Sequence, residues 1–212
     1  MLQFFTHIVN LSHRLDRKEH IVAQFSNKPE FKTNIVSAIK HDRGAYGLWL
    51  TVKHIVEIEV NKGSEFFVFC EDDHEFTENY SYELLRESII QAQSLNADIL
   101  SGGYSWFDNA VQISDNLFWT DRFNGMQFTV IFRKFYQKIL DADFGEKVVT
   151  DIHLSGITEN KFVIYPYISV QKEFGYSDVT VSNEKEGYVD GIFKSAKERL
   201  NILNKVRNHY FK

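Results

Sequence analysis

The feature that most constrains the fold is the run Phe66 to Cys70 (FFVFC), which three acidic residues follow at once. The run is uninterrupted, rich in aromatic residues and too short for a typical helix. It therefore predicts a central strand that is buried on both faces. Gly63, just before the run, supplies a natural end for a preceding helix.

The first hundred residues alternate apolar runs such as Phe4 to Leu11 with stretches of helical spacing. This alternation predicts parallel strands joined by right-handed crossovers. The predicted class is α/β: a single domain with a mainly parallel central sheet flanked by helices. Ligands of such sheets gather at the carboxyl ends of strands. We therefore expect the Asn10 to Arg17 turn, the Glu71 to Asp73 triplet and the Ser101 to Tyr104 corner along one edge.

The chain has 212 residues and 43% hydrophobic content, enough for one substantial core without disulfides. Residues 1–181 are assigned to the main domain, and residues 182–212 to a C-terminal loop and an amphipathic basic helix packed on that domain. The alternative for this helix is a peripheral position on a membrane surface. The stretch from Tyr104 to Gly125 lacks periodicity, which is typical of a long functional loop or of short antiparallel pieces.

Composition excludes several classes of protein. Cys70 is the only cysteine, so intramolecular disulfides and Cys-based zinc sites are excluded. No run approaches the roughly 20 apolar residues of a spanning helix, and we expect a cytoplasmic protein, with the inner face of the membrane as the alternative location. A formal net charge of -5 argues against nucleic acid as a partner. A phosphate-bearing ligand would need a divalent cation, a few placed basic side chains or a helix N-terminus.

Glu71, Asp72 and Asp73 follow the predicted central strand directly. Adjacent carboxylates repel one another, so a compensating cation is a natural partner. If the strand continues, Glu71 and Asp73 point to one side and Asp72 to the other. A divalent ion bridging one or two carboxylates to a diphosphate fits this chemistry. The alternative is an acidic loop that caps the next helix.

Asn10, Arg14 and Arg17 lie where the first strand gives way to a helix. Two arginines three residues apart share a helical face and could grip phosphates or a base edge. The alternative is a solvated first turn with Asp16 and Glu19 as ion-pair partners. Further along this helix, the spacing predicts one apolar face, formed by Leu15, Ile21, Val22 and Phe25.

With these motifs in place, the sequence resembles glycosyltransferase family 25, the group that includes bacterial lipooligosaccharide galactosyltransferases. The matching segments cover roughly the first 180 residues. They are VNLSHRLDR (Val9 to Arg17), GLWLT (Gly47 to Thr51), FFVFCEDD (Phe66 to Asp73), SGG (Ser101 to Gly103), the region of Asp151, and SVQKEFGYSDV (Ser169 to Val179). The family pattern usually has a Ser-His pair where this chain has Thr51 and Val52.

The resemblance implies a fold of the GT-A type and a hexosyl transfer from a nucleotide-sugar donor, a UDP-sugar, to a hydroxyl of a surface glycan or lipooligosaccharide. It implies Mn²⁺ or Mg²⁺ as cofactor. The implied donor-binding residues are Asn10, Arg14, Arg17, Asp72, Gly103, Gln171 and Ser177, and the implied metal ligands are Glu71, Asp73 and Asp178.

Asp151 resembles the downstream acid of the family, and an inverting transfer would use it as general base on the acceptor hydroxyl. As alternatives, Asp151 caps a helix, and Ser177 and Asp178 form a turn. Trp106, Phe118 and Trp119 are candidate platforms for stacking on a sugar ring, and the alternative is that they are buried anchors of the core. Two other functions remain open, a catalytically silent carbohydrate- or partner-binding domain and a sugar nucleotidyltransferase. The second usually needs a Gly-rich phosphate loop, and Asn10 to Arg17 has no glycine.

Overall fold

The structure is a computed structural model, and it describes residues 2–146, 148–175 and 185–211. Strands and helices alternate through the first hundred residues, as the sequence pattern predicts. The strands are β1 (Phe4–Asn10), β2 (Phe31–Ser37), β3 (Phe66–Glu71), β4 (His74–Phe76), β5 (Ile99–Ser101), β6 (Trp106–Phe107), β7 (Ala110–Gln112), β8 (Leu117–Thr120), β9 (Phe123–Asn124), β10 (Phe128–Phe132), β11 (Lys161–Ile164) and β12 (Ser169–Gln171). The helices are α1 (Leu15–Phe25), α2 (Gly44–Lys62), α3 (Tyr82–Ser94), α4 (Arg133–Asp141), α5 (Thr150–Gly156) and α6 (Tyr188–Tyr210).

Within the described part of the chain, eight strands form a central sheet in the order β2-β1-β3-β10-β5-β11-β8-β7. β1 is parallel to β2 and β3, and β5 is parallel to β11. β10 is antiparallel to β3 and β5, and β8 is antiparallel to β11 and β7. Six of these strands therefore run one way and two the other. The predicted α/β class, with a mainly parallel central sheet flanked by helices, is confirmed.

β3 is buried on both faces, as its apolar run predicts. Phe67 and Phe69 contact one core, which also contains buried residues of α2, α4, α5 and α6. Val68 and Cys70 contact the other core, beneath α1 and α3. Because side chains alternate along a strand, this uninterrupted apolar run supplies both cores at once. The sheet is thus a middle layer between two sets of helices.

The stretch from Tyr104 to Gly125 is built from short antiparallel pieces, one of the two expected alternatives. β6 pairs with β9 as a separate two-stranded ribbon, and β7 pairs with β8 at the edge of the central sheet. β12 pairs with β4 in a second small ribbon, which follows the acidic triplet. The two small ribbons begin just beyond the carboxyl ends of β3 and β5.

Two local predictions have different outcomes. Gly63 ends α2 in the left-handed conformation, with φ 70°, as expected of a C-terminal stop. The predicted apolar face of α1 is wrong in part, because Leu15 and Val22 are 63% and 49% exposed. The buried face consists of Arg17, Ile21 and Phe25, which are four residues apart and so lie one above the other.

α6 packs against the main domain through buried residues spaced along one face, namely Val189, Phe193, Ala196 and Leu200. Polar contacts extend this docking, since Gln112 Nε2 donates to Asn204 Oδ1 at 2.9 Å. No helix among the described residues has the length and apolar character needed to cross a membrane.

Docking of α6 can be tested with two leucines of the same helix. Leu200 is fully buried, and Leu200→Ala should lower the free energy of unfolding by about 2–5 kcal/mol, through lost burial and the remaining cavity. Leu203 is 38% exposed, and Leu203→Ala should cost less than about 1 kcal/mol. Urea unfolding monitored by circular dichroism measures both values. Equal losses would contradict this packing of α6.

Candidate active site

A cavity of about 970 Å³ opens at the carboxyl ends of β1, β2 and β3. From β1 the chain crosses to β2 on one side and later returns to β3 on the other, so the strand order reverses around β1. Such a reversal leaves a crevice between the loops that follow the strands, where ligands of open α/β sheets bind. The predicted shared edge is present at Arg14, Arg17 and the acidic triplet. The Ser101 to Tyr104 corner does not line the cavity, but Ser105 directly after it does.

Asp72 is the centre of a buried polar network. Its Oδ2 accepts a hydrogen bond from Asn10 Nδ2 at 2.8 Å, and its Oδ1 accepts one from Arg17 Nη1 at 3.1 Å. The same Arg17 nitrogen lies 3.2 Å from Asp73 Oδ2. Asn10 Nδ2 also donates to the carbonyl of Arg14 at 3.2 Å. These contacts join the ends of β1 and β3 to the first turn of α1.

The side chain of Arg17 is directed inward because it shares the buried face of α1 with Ile21 and Phe25. Arg14 precedes the helix, and both arginines are at least nine-tenths buried while lining the cavity. The two arginine side chains are therefore not solvated, in contrast to the alternative of a solvated first turn. The condition under which Asp72 would point away from Asp73, a strand that continues through the triplet, is not met. β3 ends at Glu71, the next two residues form a turn, and both aspartates contact Arg17.

The triplet does not cap the next helix, because Ser81 has that role and its Oγ accepts from Leu84 N at 3.1 Å. The carboxylates instead raise one another's affinity for protons. Burial raises the pKa of Glu71 well above its usual range, and the charges of Asp73, Asp151 and Asp72 raise it further. Burial likewise raises the pKa of Asp73 to about 6, although Arg17 opposes the rise. The cavity thus holds several carboxyl groups close enough to disfavour one another's ionised form.

Asp151 lies in the first turn of α5 and lines the cavity. The N-cap position is Val149, and Asp151 Oδ2 accepts a hydrogen bond from the backbone N–H of Gly125 at 2.8 Å. This bond ties the carboxylate to the end of β9. Burial raises the pKa of Asp151 above its usual range, and the Gly125 N–H opposes the rise. A raised pKa makes the ionised carboxylate a stronger proton acceptor than an ordinary aspartate.

Of the remaining predicted site residues, some line the cavity and others do not. Gln171 lines the cavity, because β12 pairs with β4 and puts Gln171 opposite His74. Gly103 does not line it, and a Cβ there would lie 2.3 Å from the carbonyl oxygen of Ser169, so close packing explains this glycine. Ser177 and Asp178 lie outside the described residues.

Thr51 and Val52, which occupy the positions of the family's Ser-His pair, both serve packing. Val52 is fully buried in the core. Thr51 Oγ1 donates to the Gly47 carbonyl at 2.8 Å and accepts from Ile39 N at 2.9 Å. Neither residue lines the cavity in the described chain.

Sequence reasoning missed two parts of the cavity wall. One is the loop after β2, where Lys40, His41 and Asp42 line the cavity. This loop follows the carboxyl end of a predicted parallel strand, and that position could have indicated that it contacts a ligand. The other part is α6, which contributes Tyr188 and Arg199. Only tertiary packing brings this distant segment to the cavity, so no local pattern could have indicated it.

Within the described ranges, no group of three or more His, Cys, Asp or Glu side chains has the geometry to hold a metal ion. Two observations nevertheless fit a divalent cation. Oδ1 of Asp73 is buried and has no hydrogen-bond partner among the described residues. Glu71 and Asp73 are also crowded by other carboxylates. One or two carboxylates together with substrate phosphates are a usual set of ligands for Mg²⁺.

No protein-family model matches the sequence, and none of the curated proteins matches it. Solved structures resemble the fold. The crystal structure of A197 from STIV has a TM-score of 0.52 and 14% sequence identity, covering 81% of this chain and 86% of that chain. Apo UDP-glucose pyrophosphorylase has a TM-score of 0.49 and 9% identity, covering 92% of this chain and 82% of that chain. At such identities the likeness to A197 concerns the α/β fold alone, and membership of glycosyltransferase family 25 stays a prediction.

The buried ion pair between Arg17 and Asp72 can be tested by a double-mutant cycle. Arg17→Met should lower the free energy of unfolding by about 3–5 kcal/mol, because it removes the cation from a buried group of carboxylates. The loss measured for the double variant Arg17→Met/Asp72→Asn should differ by about 1–3 kcal/mol from the sum of the losses of the two single variants. Chemical unfolding of the four proteins measures the coupling.

Arg86→Met is the matched control, since Arg86 forms an exposed pair with Glu87 at 3.5 Å. Its loss should cost less than about 1 kcal/mol. Additive losses at Arg17 and Asp72, or an equal loss at Arg86, would contradict the proposed importance of the buried pair.

Proposed function

We propose that the chain is a metal-assisted glycosyltransferase that moves a sugar from a UDP-sugar to a hydroxyl of a surface glycan or lipooligosaccharide, with inversion. One observation carries this proposal: a single cavity contains two buried arginines, a group of carboxylates, and a separate carboxylate, Asp151, held by a backbone N–H. Its volume of about 970 Å³ suits a nucleotide sugar.

The donor diphosphate would bind beside Arg14 and Arg17. Guanidinium groups form short, charge-assisted hydrogen bonds with phosphate oxygens. Arg17 is held by Asp72 and Asp73, so its guanidinium is preorganised and little entropy is lost on binding. Asn10 would act indirectly, because it contacts Asp72 and does not line the cavity.

Mn²⁺ or Mg²⁺ would be held by Glu71 and Asp73 together with the donor phosphates, and Asp178 remains a further candidate ligand. When bound, such a cation neutralises charge on the leaving nucleoside diphosphate. The buried Oδ1 of Asp73 supports this assignment, because it is an acceptor that no described donor satisfies.

Asp151 would act as the general base. The acceptor oxygen forms a bond to the anomeric carbon as the bond from that carbon to the phosphate oxygen breaks, and the hydroxyl proton moves to a carboxylate oxygen of Asp151. The diphosphate leaves with the bonding electron pair beside Arg14 and Arg17. The N–H of Gly125 holds Oδ2 of Asp151 and so orients the carboxylate in the cavity.

Donor binding can be tested by isothermal titration with UDP. We expect binding that strengthens when Mn²⁺ is added, because Glu71 and Asp73 would hold an ion that also neutralises charge on the diphosphate. Asp73→Asn should abolish the gain from Mn²⁺, whereas Asp141→Asn, a change at an exposed residue of α4, should keep it. Absence of UDP binding, or binding that does not respond to Mn²⁺, would count against the donor site. Formation of a nucleotide sugar from UTP and a sugar 1-phosphate would favour a nucleotidyltransferase instead.

The role of Asp151 can be tested with Asp151→Asn, which keeps an acceptor for the Gly125 N–H but cannot take the proton. Transfer should fall by about 10²- to 10⁴-fold, while the affinity for UDP stays unchanged. In the parent protein, kcat/KM should rise with pH through the raised pKa of Asp151, because only the ionised form accepts a proton. A variant that keeps full activity would exclude Asp151 as the base.

A further inference from the structure

The wall that faces the acceptor side of the cavity has a different chemical character from the arginine and carboxylate wall. Two aromatic side chains line it, Trp106 of β6 and Tyr188 at the start of α6. They are 37% and 38% exposed, unlike the fully buried rings of the core. Ser195 and Asn124 supply hydroxyl and amide groups on the same surface. Arg199 also lines the cavity, and the Arg122 guanidinium carbon lies 5.4 Å from the centroid of the Trp106 ring. This wall thus combines exposed rings with hydrogen-bonding groups, which suits the apolar face and the hydroxyls of a sugar.

The pairing of β6 with β9 puts Trp106 close to the proposed base. Trp106 is the cross-strand partner of Asn124, and the next residue, Gly125, donates its N–H to Asp151. Cross-strand partners lie about 4.5–5.5 Å apart between Cα atoms. A ring stacked on Trp106 would therefore have a hydroxyl close to Asp151.

The position of Trp106 is fixed from two sides. Arg199 of α6 donates from Nη1 to the Phe107 carbonyl at 2.6 Å and from Nη2 to the Asp108 carbonyl at 2.7 Å. Its guanidinium carbon also lies 4.1 Å from the centroid of the Phe107 ring. On the other side, Ser105 Oγ donates to Asn124 Oδ1 at 2.8 Å. Arg199 is thus a positioning residue, which fastens the strand carrying Trp106 to α6.

We infer that the surface formed by Trp106, Tyr188, Asn124 and Ser195 is the acceptor subsite, and that it takes a carbohydrate ring stacked on Trp106. This inference rests on the proposed function, because it assigns the second substrate of the same reaction. The competing occupant of Trp106 is the base of the donor nucleotide. The link through Asn124 and Gly125 favours the acceptor, because Asp151 must reach the acceptor hydroxyl.

The experiment compares two reactions of the same protein, hydrolysis of UDP-galactose by water and transfer to lactose or to deacylated lipooligosaccharide. Trp106→Ala should raise the acceptor KM by about tenfold or more, because the stacking surface is lost. Donor hydrolysis and the affinity for UDP should stay within about twofold. Trp106→Phe keeps an aromatic ring and should restore most of the transfer. The thermal midpoint of each variant verifies that the fold is retained.

A direct binding readout does not depend on turnover. The chain has three tryptophans, and Trp49 is buried in the core. Quenching of tryptophan fluorescence by the same acceptors should be present in the parent protein, absent in Trp106→Phe and retained in Trp119→Phe.

The outcomes separate the two proposals. Parent protein that neither binds UDP nor hydrolyses the donor would overturn the proposed function, and the acceptor assignment with it. Loss of UDP affinity in Trp106→Ala would assign the ring to the nucleotide base and overturn the acceptor subsite alone. The acceptor subsite would also be overturned if Trp106→Ala lowered donor hydrolysis and transfer equally. The same holds if Trp106→Ala left the acceptor KM unchanged, or if Trp106→Phe left the quenching unchanged.

Discussion

The buried contact of Arg17 with Asp72 and Asp73 is the interaction on which the cavity depends. It joins α1 to the end of β3, and Asn10 extends the network to the end of β1. A buried arginine without carboxylates, or the carboxylates without an arginine, would carry a large desolvation cost. The network therefore fixes the relative positions of the loops that form one wall.

The opposite wall depends on the C-terminal part of the chain. α6 packs on the same core as α2 and β3, and Arg199 fastens it to the strand that carries Trp106. The cavity is thus closed by elements nearly 200 residues apart in sequence. A glycosyl transfer needs two substrates, a donor that carries phosphates and an acceptor that carries sugar hydroxyls. The two walls of the cavity also differ in their chemical groups. One contains Arg14, Arg17 and the acidic triplet and suits phosphates, whereas the other combines the exposed rings of Trp106 and Tyr188 with hydrogen-bonding groups.

The fold was largely predictable from local patterns. The run Phe66 to Cys70 indicated a central strand, because it is too short for a typical helix and a strand between two helical layers buries nearly all of its residues. The buried face of α1 was not predictable, because helical spacing alone favours apolar Leu15 over charged Arg17. Burial of Arg17 depends on carboxylates more than fifty residues away. Likewise, the acidic triplet and Asp151 were identifiable as candidate residues, but the contribution of α6 and the packing role of Gly103 needed tertiary structure.

The central claim is that Arg14, Arg17 and the acidic triplet together bind a metal-associated diphosphate. A crystal structure with UDP and Mn²⁺ tests it most directly. The account predicts the diphosphate beside Arg14 and Arg17, with the ion bound to its oxygens and to Glu71 or Asp73. A diphosphate bound elsewhere, or a cavity that stays empty at saturating UDP and Mn²⁺, would contradict the account.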